Sequence, residues 1–281
     1  MNALPAKAET VFTVRGPEYA GDTRMDYDYD VMKLALDLTV NSHGPYTLQK
    51  TPIGVNFKRA VEFAKQGRFP NFFLRNMVSE KSMNDLIPVI FPVERGITGF
   101  RVALIKSNLQ DEIGNIEDIS DLRKFDIIQG IGWPDNLILR ANGLRVLTGP
   151  SFPRIWEMLV NDRAQLFLRG VNEISAEMQS GPKELAISIE QNLIFHYPFP
   201  RFLFTSPENK SAVNRIKAGL IKACNNGSFV KLWRSYFQKS LDELKLENRK
   251  MIHLRNPYLN AVSDLLRELD QLPAECREIR M

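Results

Sequence analysis

The sequence lacks the long apolar runs of a membrane protein. It has 281 residues, of which 44% are hydrophobic and 25% charged, and no apolar run reaches the roughly 18 residues that a membrane-spanning helix needs. This composition is ordinary for a globular chain. The length suits either two domains or one large domain.

Clustered basic residues are also absent. The net charge is +4, but lysines and arginines are mixed with acidic residues throughout the chain. A nucleic-acid-binding domain would concentrate its basic residues on one face. We therefore predict no nucleic-acid partner.

Cysteines and histidines are few. Cys224 and Cys276 are too few for a disulfide framework and form no C-x-x-C motif. A single bond between them stays open, because the sequence does not bring them within reach of each other. The three histidines lack the spacing of metal ligands. We predict no metal and no cofactor.

The common catalytic motifs are missing as well. Neither G-x-S-x-G nor the phosphate-binding G-x-x-x-x-G-K-[ST] occurs. The pair Gly130 and Gly132 lacks the third glycine of a dinucleotide fingerprint, and Trp133-Pro134 would crowd a pyrophosphate. No spacing pairs two carboxylates for acid–base chemistry. These absences favour recognition over catalysis.

The middle of the chain alternates short strands with helices. We predict strands at "FDIIQ", "LRVL" and "AQLFL", and helices at "DNLILRANG" and "FPRIWEMLVND". Such alternation with short turns indicates a parallel α/β unit. Ligands of these sheets bind beyond the carboxyl ends of the strands, where "GIGWPD" and "RGVNE" lie.

The outer segments also have helical and extended patterns. "VFTV" predicts a first strand, and Thr23 and Asp26 have the spacing of a capping box for the first helix. Asn56 is placed to cap a second helix, which Gly67 ends. "NKSAVNRIKAGLIKACNNG" and "VKLWRSYFQKSLDEL" predict two consecutive helices nearer the C-terminus.

Five segments, taken in order, resemble the bacterial extracytoplasmic (periplasmic) solute-binding proteins. The likeness is to the two-domain type II class that includes the polar amino-acid receptors. The segments are "TRMDYDYDVMKLALDLT", "PVIFPVERGITGFRVALI", "DISDLRKFDIIQGIGWPDNLILRANGLRVL", "MLVNDRAQLFLRGVNEI" and "GLIKACNNGSFVKLWRSYF".

This resemblance implies an α/β fold of two lobes joined by a two-strand hinge. Domain 1 would comprise residues 1–100 plus 200–281, and domain 2 would comprise residues 101–199. The chain would cross between them near residues 98–102 and 195–200, and a ligand would close the lobes. It also implies a periplasmic monomer that delivers a small polar organic solute to a membrane transporter.

Two departures from the family's pattern bear on the ligand. Amino-acid receptors carry an arginine that clasps the ligand carboxylate, and Ser82 stands at that position here. Where relatives often have G-T or G-S before a helix, this chain has Trp133, Pro134 and Asp135. Since Asp135 would repel an anion there, we expect a ligand with an apolar part and a cationic or hydroxyl group.

Nine residues are candidates for ligand binding, and several have structural alternatives. Trp133 either stacks on a ligand or packs beneath its turn, and Asp135 either contacts a ligand amine or caps its helix. Arg169 faces a ligand anion, pairs with Asp135 or lies on the surface. The candidates are Glu18, Tyr19, Ser82, Gly132, Trp133, Asp135, Arg169, Asn172 and Tyr197.

A second hypothesis is an enzyme on the same scaffold. Cyclohexadienyl dehydratases share this fold and use carboxylates in the cleft as acids. That hypothesis requires a carboxylate whose pKa is raised, and Asp135 and Glu18 are the candidates. A third hypothesis is a ligand-sensing module. The leading prediction is a binding protein that is not an enzyme.

Overall fold

The structure is a computed structural model that describes residues 9–180 and 186–279. The described residues form twelve strands distributed over two sheets. In chain order the strands are β1 (Thr10–Val14), β2 (Tyr46–Lys50), β3 (Phe72–Met77), β4 (Ile87–Val89), β5 (Phe100–Lys106), β6 (Asp126–Gly130), β7 (Arg145–Gly149), β8 (Leu166–Gly170), β9 (Ile187–Ile189), β10 (Leu193–His196), β11 (Arg201–Thr205) and β12 (Lys250–His253).

The helices of the described residues vary from one turn to 17 residues. They are α1 (Asp26–Asp37), α2 (Val40–His43), α3 (Phe57–Lys65), α4 (Glu80–Asp85), α5 (Gln110–Gly114), α6 (Ile119–Leu122), α7 (Asp135–Ala141), α8 (Phe152–Val160), α9 (Ile174–Ser180), α10 (Lys210–Asn225), α11 (Ser228–Leu244), α12 (Ser263–Arg267) and α13 (Ala274–Arg277). The predicted α/β class is confirmed.

The chain divides into two compact units, which are described separately below. Unit 1 comprises residues 9–95, 200–236 and 261–279. Unit 2 comprises residues 96–180, 186–199 and 237–260. The chain therefore passes from one unit to the other at 95–96, 199–200, 236–237 and 260–261.

Unit 1 is built on a sheet with the strand order β2-β1-β3-β11-β4. Strands β1, β2 and β3 run parallel, whereas β11 is antiparallel to both β3 and β4. Helices α1 and α10 approach each other closely at Gly219. A Cβ added there would lie only 2.1 Å from the carbonyl oxygen of Ala35. Buried aromatic side chains fill the core, each stabilising the fold by about 1.5–3 kcal/mol.

Of the two helix caps predicted in unit 1, the one at the start of α3 forms and the one at the start of α1 does not. Asn56 caps α3, accepting a hydrogen bond from the amide of Arg59 at 2.9 Å. The capping box predicted at Thr23 and Asp26 does not form, since Met25 precedes α1 without a side-chain cap. The Asp26 carboxylate instead accepts from Lys50 Nζ at 2.6 Å.

Unit 2 has a sheet with the order β12-β10-β5-β8-β6-β7, and β9 pairs with β5. Strands β6, β7 and β8 run parallel, so their carboxyl ends share one edge. Strand β5 is antiparallel to β8 and places Arg101 opposite Gly170 at that edge. We call this border, where Arg101, Gly130, Gly149 and Gly170 lie, the carboxyl edge of unit 2.

Residues 237–260 belong to unit 2, whereas the sequence analysis assigned all of residues 200–281 to the first domain. The reason is that β12 pairs in parallel with β10, from Leu193 beside Lys250 to His196 beside His253. The sequence predicted two chain crossings, and this pairing adds passages at 236–237 and 260–261.

A disulfide joins Cys224 in α10 to Cys276 in α13, with a Cα–Cα distance of 6.0 Å. The structure thus settles the alternative that the sequence left open. Both cysteines are buried, at 4% and 0% exposure. Closing a chain segment in this way stabilises a domain by about 2–4 kcal/mol.

Candidate functional site

A buried hydrogen-bond network at the carboxyl edge of unit 2 centres on Arg101. Its Nε donates to the Tyr197 hydroxyl at 2.8 Å and to Asp135 Oδ1 at 3.1 Å. Its Nη2 lies 3.1 Å from the same oxygen, and the Tyr197 hydroxyl also donates to Asp135. All three residues are at most 8% exposed. Two predicted site residues, Asp135 and Tyr197, therefore lie together around an arginine that was not predicted.

The charges of this network are set by its internal contacts. Burial by itself raises the pKa of Asp135, but the Arg101 charge and the Tyr197 hydrogen bond outweigh it and hold the pKa below its usual value. Burial lowers the pKa of Arg101, but Tyr197 and Asp135 raise it above its usual value. Burial raises the pKa of Tyr197. At neutral pH the network is an ion pair with a neutral phenol.

The turn from β6 into α7 places Asp135 in this network. Gly132 has a φ of 78°, a conformation that favours glycine. The Trp133 amide donates to the carbonyl of Gly130 at 3.2 Å, and Asn136 Nδ2 donates to that carbonyl at 2.8 Å. The turn thus has the predicted position at the end of β6, with α7 following Pro134 directly.

Trp133 lies over the end of β6 and is half-buried. A Cβ added at Gly130 would fall 2.3 Å from the indole Cε2, so only glycine allows the ring this close. The ring stacks on Phe167 at a centroid distance of 6.2 Å, and Arg169 Cζ lies 4.7 Å from its centroid. The packing alternative for Trp133 is therefore realised, and contact with a ligand stays a prediction.

Arg169 has acidic partners on α9 and the turn before it. Its Nη2 lies 2.9 Å from Glu173 Oε2, and its Nε donates to Glu177 Oε2 at 2.6 Å. Burial lowers the pKa of Arg169, but these two carboxylates raise it above its usual value. The pairing of Arg169 with Asp135, one alternative from the sequence, is replaced by these contacts, and Asp135 pairs with Arg101.

Two of the buried polar atoms at this edge that have no hydrogen-bond partner among the described residues lie beside Gly170. They are Arg101 Nη1, a donor, and Asn172 Oδ1, an acceptor. Both surround Gly170, since a Cβ there would lie 3.0 Å and 2.7 Å from them and 3.2 Å from Glu173 Oε2. An unused donor and two acceptors thus converge on a position that carries no side chain.

The remaining predicted residues lie in unit 1. Glu18 accepts a hydrogen bond from Arg15 and lies 3.6 Å from Arg24 Nη2, while Tyr19 is 59% exposed. Ser82 is buried and completes a capping box with Ser79 at the start of α4. Ser82 therefore has a structural role here, and ligand binding by all three residues stays a prediction.

Unit 1 also contains a buried charge cluster that is not among the predicted site residues. Arg75 Nη1 donates to Glu94 Oε1 at 2.6 Å, and Arg75 Nε lies 3.3 Å from Asp28 Oδ1. Arg201 Nε lies 3.5 Å from Glu94 Oε2. Burial raises the pKa of Asp28; the charge of Arg75 lowers it and that of Glu94 raises it further.

Sequence signals existed for two of the missed contacts. Arg101 interrupts the apolar run "GFRVALI", and a charge on a strand buried on both faces needs a partner. Glu173 and Glu177 follow the strand-end Arg169 closely in sequence, so a carboxylate lay within reach of this arginine. No such signal marked Asp135 as the partner of Arg101, because they are distant in sequence.

Across 9–180 and 186–279, no group of three or more histidine, cysteine or acidic side chains is arranged to hold a metal ion. No helix in these ranges is both long enough and apolar enough to cross a membrane.

Comparison with known proteins gives a match at the level of structure. No family model and no curated protein matches the sequence. A probable amino-acid ABC transporter extracellular-binding protein from Bacillus subtilis is similar with a TM-score of 0.58 and 13% identity, covering 82% of this chain and 98% of that one.

Two further solved structures are similar. The arginine-specific periplasmic binding protein of Salmonella typhimurium has a TM-score of 0.52 and 13% identity, covering 82% of this chain and 100% of that one. The L-cystine solute receptor of Neisseria gonorrhoeae has a TM-score of 0.52 and 15% identity, covering 83% and 94%. The chain therefore has the fold of the periplasmic solute-binding proteins, as its resemblance to the type II class predicted.

Proposed function

We propose that the protein is a receptor, not an enzyme, that binds a small polar organic solute and delivers it to a membrane transporter. The observation that carries the proposal is that Arg101 Nη1 and Asn172 Oδ1, both buried and without a hydrogen-bond partner among the described residues, lie beside Gly170 together with Glu173 Oε2, which already pairs with Arg169. Buried polar atoms normally have partners. A solute that reaches this edge would supply partners for Arg101 Nη1 and Asn172 Oδ1.

The charge of the edge favours a solute that carries an amine. Arg101 and Arg169 face three carboxylates, those of Asp135, Glu173 and Glu177, which leaves a formal net charge of −1. Asn172 Oδ1 and Glu173 would accept from the amine, and Arg101 Nη1 would donate to an oxygen of the same solute. Trp133 would provide an apolar wall beside them.

Two of the structurally similar proteins are receptors for solutes of this class. They are the receptors for arginine and for L-cystine, both of which carry amines. The shared fold supports the binding of a small amine-bearing solute by this chain. We propose delivery to an ABC transporter, with the protein acting as a monomer.

The disulfide supports a location outside the reducing cytoplasm. Structural disulfides persist in oxidising compartments such as the periplasm, and Cys224 and Cys276 form one in unit 1. We therefore propose a periplasmic site of action.

The electrostatics of Asp135 favour binding over acid catalysis. An acid catalyst needs a carboxyl group whose pKa is raised toward neutrality, whereas the pKa of Asp135 is held below its usual value after the charge of Arg101 overcomes burial. Asp135 would then orient Arg101 and would not transfer a proton.

Native mass spectrometry of freshly purified protein tests the proposal. We expect a bound species of one small mass that dissociates on gentle activation. A thermal-shift panel should then show stabilisation by amine-bearing solutes and none by matched compounds in which the amine is replaced by a methyl group. A protein that carries no small molecule and is stabilised by no member of the panel would contradict a receptor function.

A further inference from the structure

The chain leaves unit 1 through two residues with left-handed backbones. Arg95 has a φ of 52° and Gly96 has a φ of 72°. An arginine in this conformation costs free energy of the order of 1 kcal/mol and persists only where its surroundings hold it. The contacts around Arg95 show what holds it.

Residues near the C-terminus form hydrogen bonds with both the backbone and the side chain of Arg95. The amide of Ile279 donates to the carbonyl oxygen of Arg95 at 3.0 Å. Arg95 Nη2 donates in return to the carbonyl of Glu278 at 3.1 Å. Arg95 and Ile279 are 6% and 7% exposed, so these hydrogen bonds are shielded from water.

Further contacts converge on the same passage. Arg95 Cζ lies 4.5 Å from the centroid of the Trp233 ring, and Trp233 Nε1 donates to the carbonyl of Glu94 at 3.0 Å. The Glu94 side chain in turn pairs with Arg201, which begins β11 just after the next passage at 199–200. Residues 94–96 are thus the point where several chain segments of unit 1 are tied together.

The disulfide keeps the C-terminal segment close to residues 94–96. Cys276 lies three residues before Ile279 and is bonded to Cys224 in α10, a helix packed against α1. Three residues span at most about 10 Å of extended chain. Two ion pairs also involve this segment or the residues just before it, Lys217–Glu268 and Arg277–Asp270. These involve exposed side chains and contribute little.

We propose that residues 272–279 form a latch that fixes the backbone at residues 94–96, where the chain passes from unit 1 to unit 2, and that the Cys224–Cys276 bond holds the latch shut. Both sulfurs are buried, so the bond acts as a permanent staple of the folded protein and does not open in response to external thiols. The latch is independent of the proposed solute site.

Hydrogen exchange measured by mass spectrometry on a Cys224→Ala/Cys276→Ala double variant tests the latch. We expect exchange at least tenfold faster in peptides covering 94–99 and 272–279, since the Ile279 amide donates to Arg95 and the Gly99 amide donates to Gly96, the residue next to it. Exchange in β6 should match the wild type. A Lys217→Ala variant, which keeps the disulfide, should leave peptide 94–99 unchanged.

Two outcomes would overturn the latch. One is a folded double variant in which 272–279 exchanges faster but 94–99 does not. If the double variant does not fold, the Arg95→Met variant, in which the disulfide is intact, tests the latch instead. It removes the hydrogen bond to Glu278, so the Ile279 amide should exchange at least tenfold faster, and wild-type exchange there would refute the proposal.

Discussion

Two buried aspartates, each with an arginine at almost the same distance, have pKa values shifted in opposite directions. Asp28 in unit 1 lies 3.3 Å from Arg75, and Asp135 in unit 2 lies 3.1 Å from Arg101. The pKa of Asp28 is raised by burial, whereas the Arg101 charge overcomes burial and lowers the pKa of Asp135. Ion-pair distance therefore does not decide the protonation of a buried carboxyl group.

The difference lies in how each arginine is shared. Arg75 also pairs with Glu94, a second buried carboxylate that repels Asp28, and Asp28 Oδ1 accepts no hydrogen bond from the described residues. Asp135 accepts hydrogen bonds from both Arg101 and the Tyr197 hydroxyl. Direct hydrogen bonds stabilise the charged form, and a neighbouring like charge destabilises it.

The largest effect is expected when the arginine of the unit 2 network is removed. Arg101→Met leaves Asp135 charged and buried without its cation, which typically costs about 3–5 kcal/mol. We expect this loss in the free energy of unfolding measured by urea denaturation. Arg101→Met/Asp135→Leu, which removes both charges, should recover most of it. A loss below about 1 kcal/mol for the single variant would show that the pair does not stabilise unit 2.

A smaller effect distinguishes the two aspartates directly. Asp135→Asn removes a charge that its partners stabilise, so we expect a loss of about 1.5–3 kcal/mol, the range for hydrogen bonds to charged groups. Asp28→Asn removes a charge that burial destabilises, so its loss should be less than half as large. Equal losses in urea denaturation would contradict the difference between the two sites.

The pH dependence of stability should separate the same pair. The folded pKa of Asp135 is depressed, so its contribution is present above the unfolded value of about 3.9 and is lost as pH falls through the folded value. The folded pKa of Asp28 is raised, so stability is gained as pH falls through that folded value. Asp135→Asn should therefore flatten the acid loss, and Asp28→Asn should steepen it.

A still smaller effect concerns His196 in unit 2. Burial, followed by the nearby His253, lowers the pKa of His196 to about 4, against an ordinary value of about 6.5. Between these values the unfolded chain binds more protons, so stability falls as pH falls through the window. His196→Phe keeps the stacking on Phe100 and should reduce that slope in thermal melts. An unchanged slope would place its origin elsewhere.

Local patterns in the sequence predicted the elements of the fold well. Strands β6, β7 and β8 and helices α7 and α8 follow from apolar runs and glycine or proline turns, as does the glycine turn before α7. These features depend on neighbours in sequence. The cap of α3 by Asn56 was predictable for the same reason.

Contacts between distant segments were not predictable in this way. The pairing of β12 with β10 moves residues 237–260 into unit 2, and no local pattern specifies which strand a short segment will join. The sequence predicts only a chain crossing near Arg101, because its partners, Asp135 and Tyr197, lie 34 and 96 positions away. The sequence thus predicted two members of the buried network, Asp135 and Tyr197, but missed Arg101 at its centre, and ligand binding by these residues stays a prediction.

Titration calorimetry with the solute that co-purifies with the protein tests the central claim most directly. Trp133→Ala should weaken binding at least tenfold, or about 1.4 kcal/mol, because it removes the apolar wall beside Arg169 at the carboxyl edge of unit 2. Leu137→Ala, an exposed change on α7, should bind as the wild type does. Wild-type affinity in Trp133→Ala would contradict a solute site at this edge.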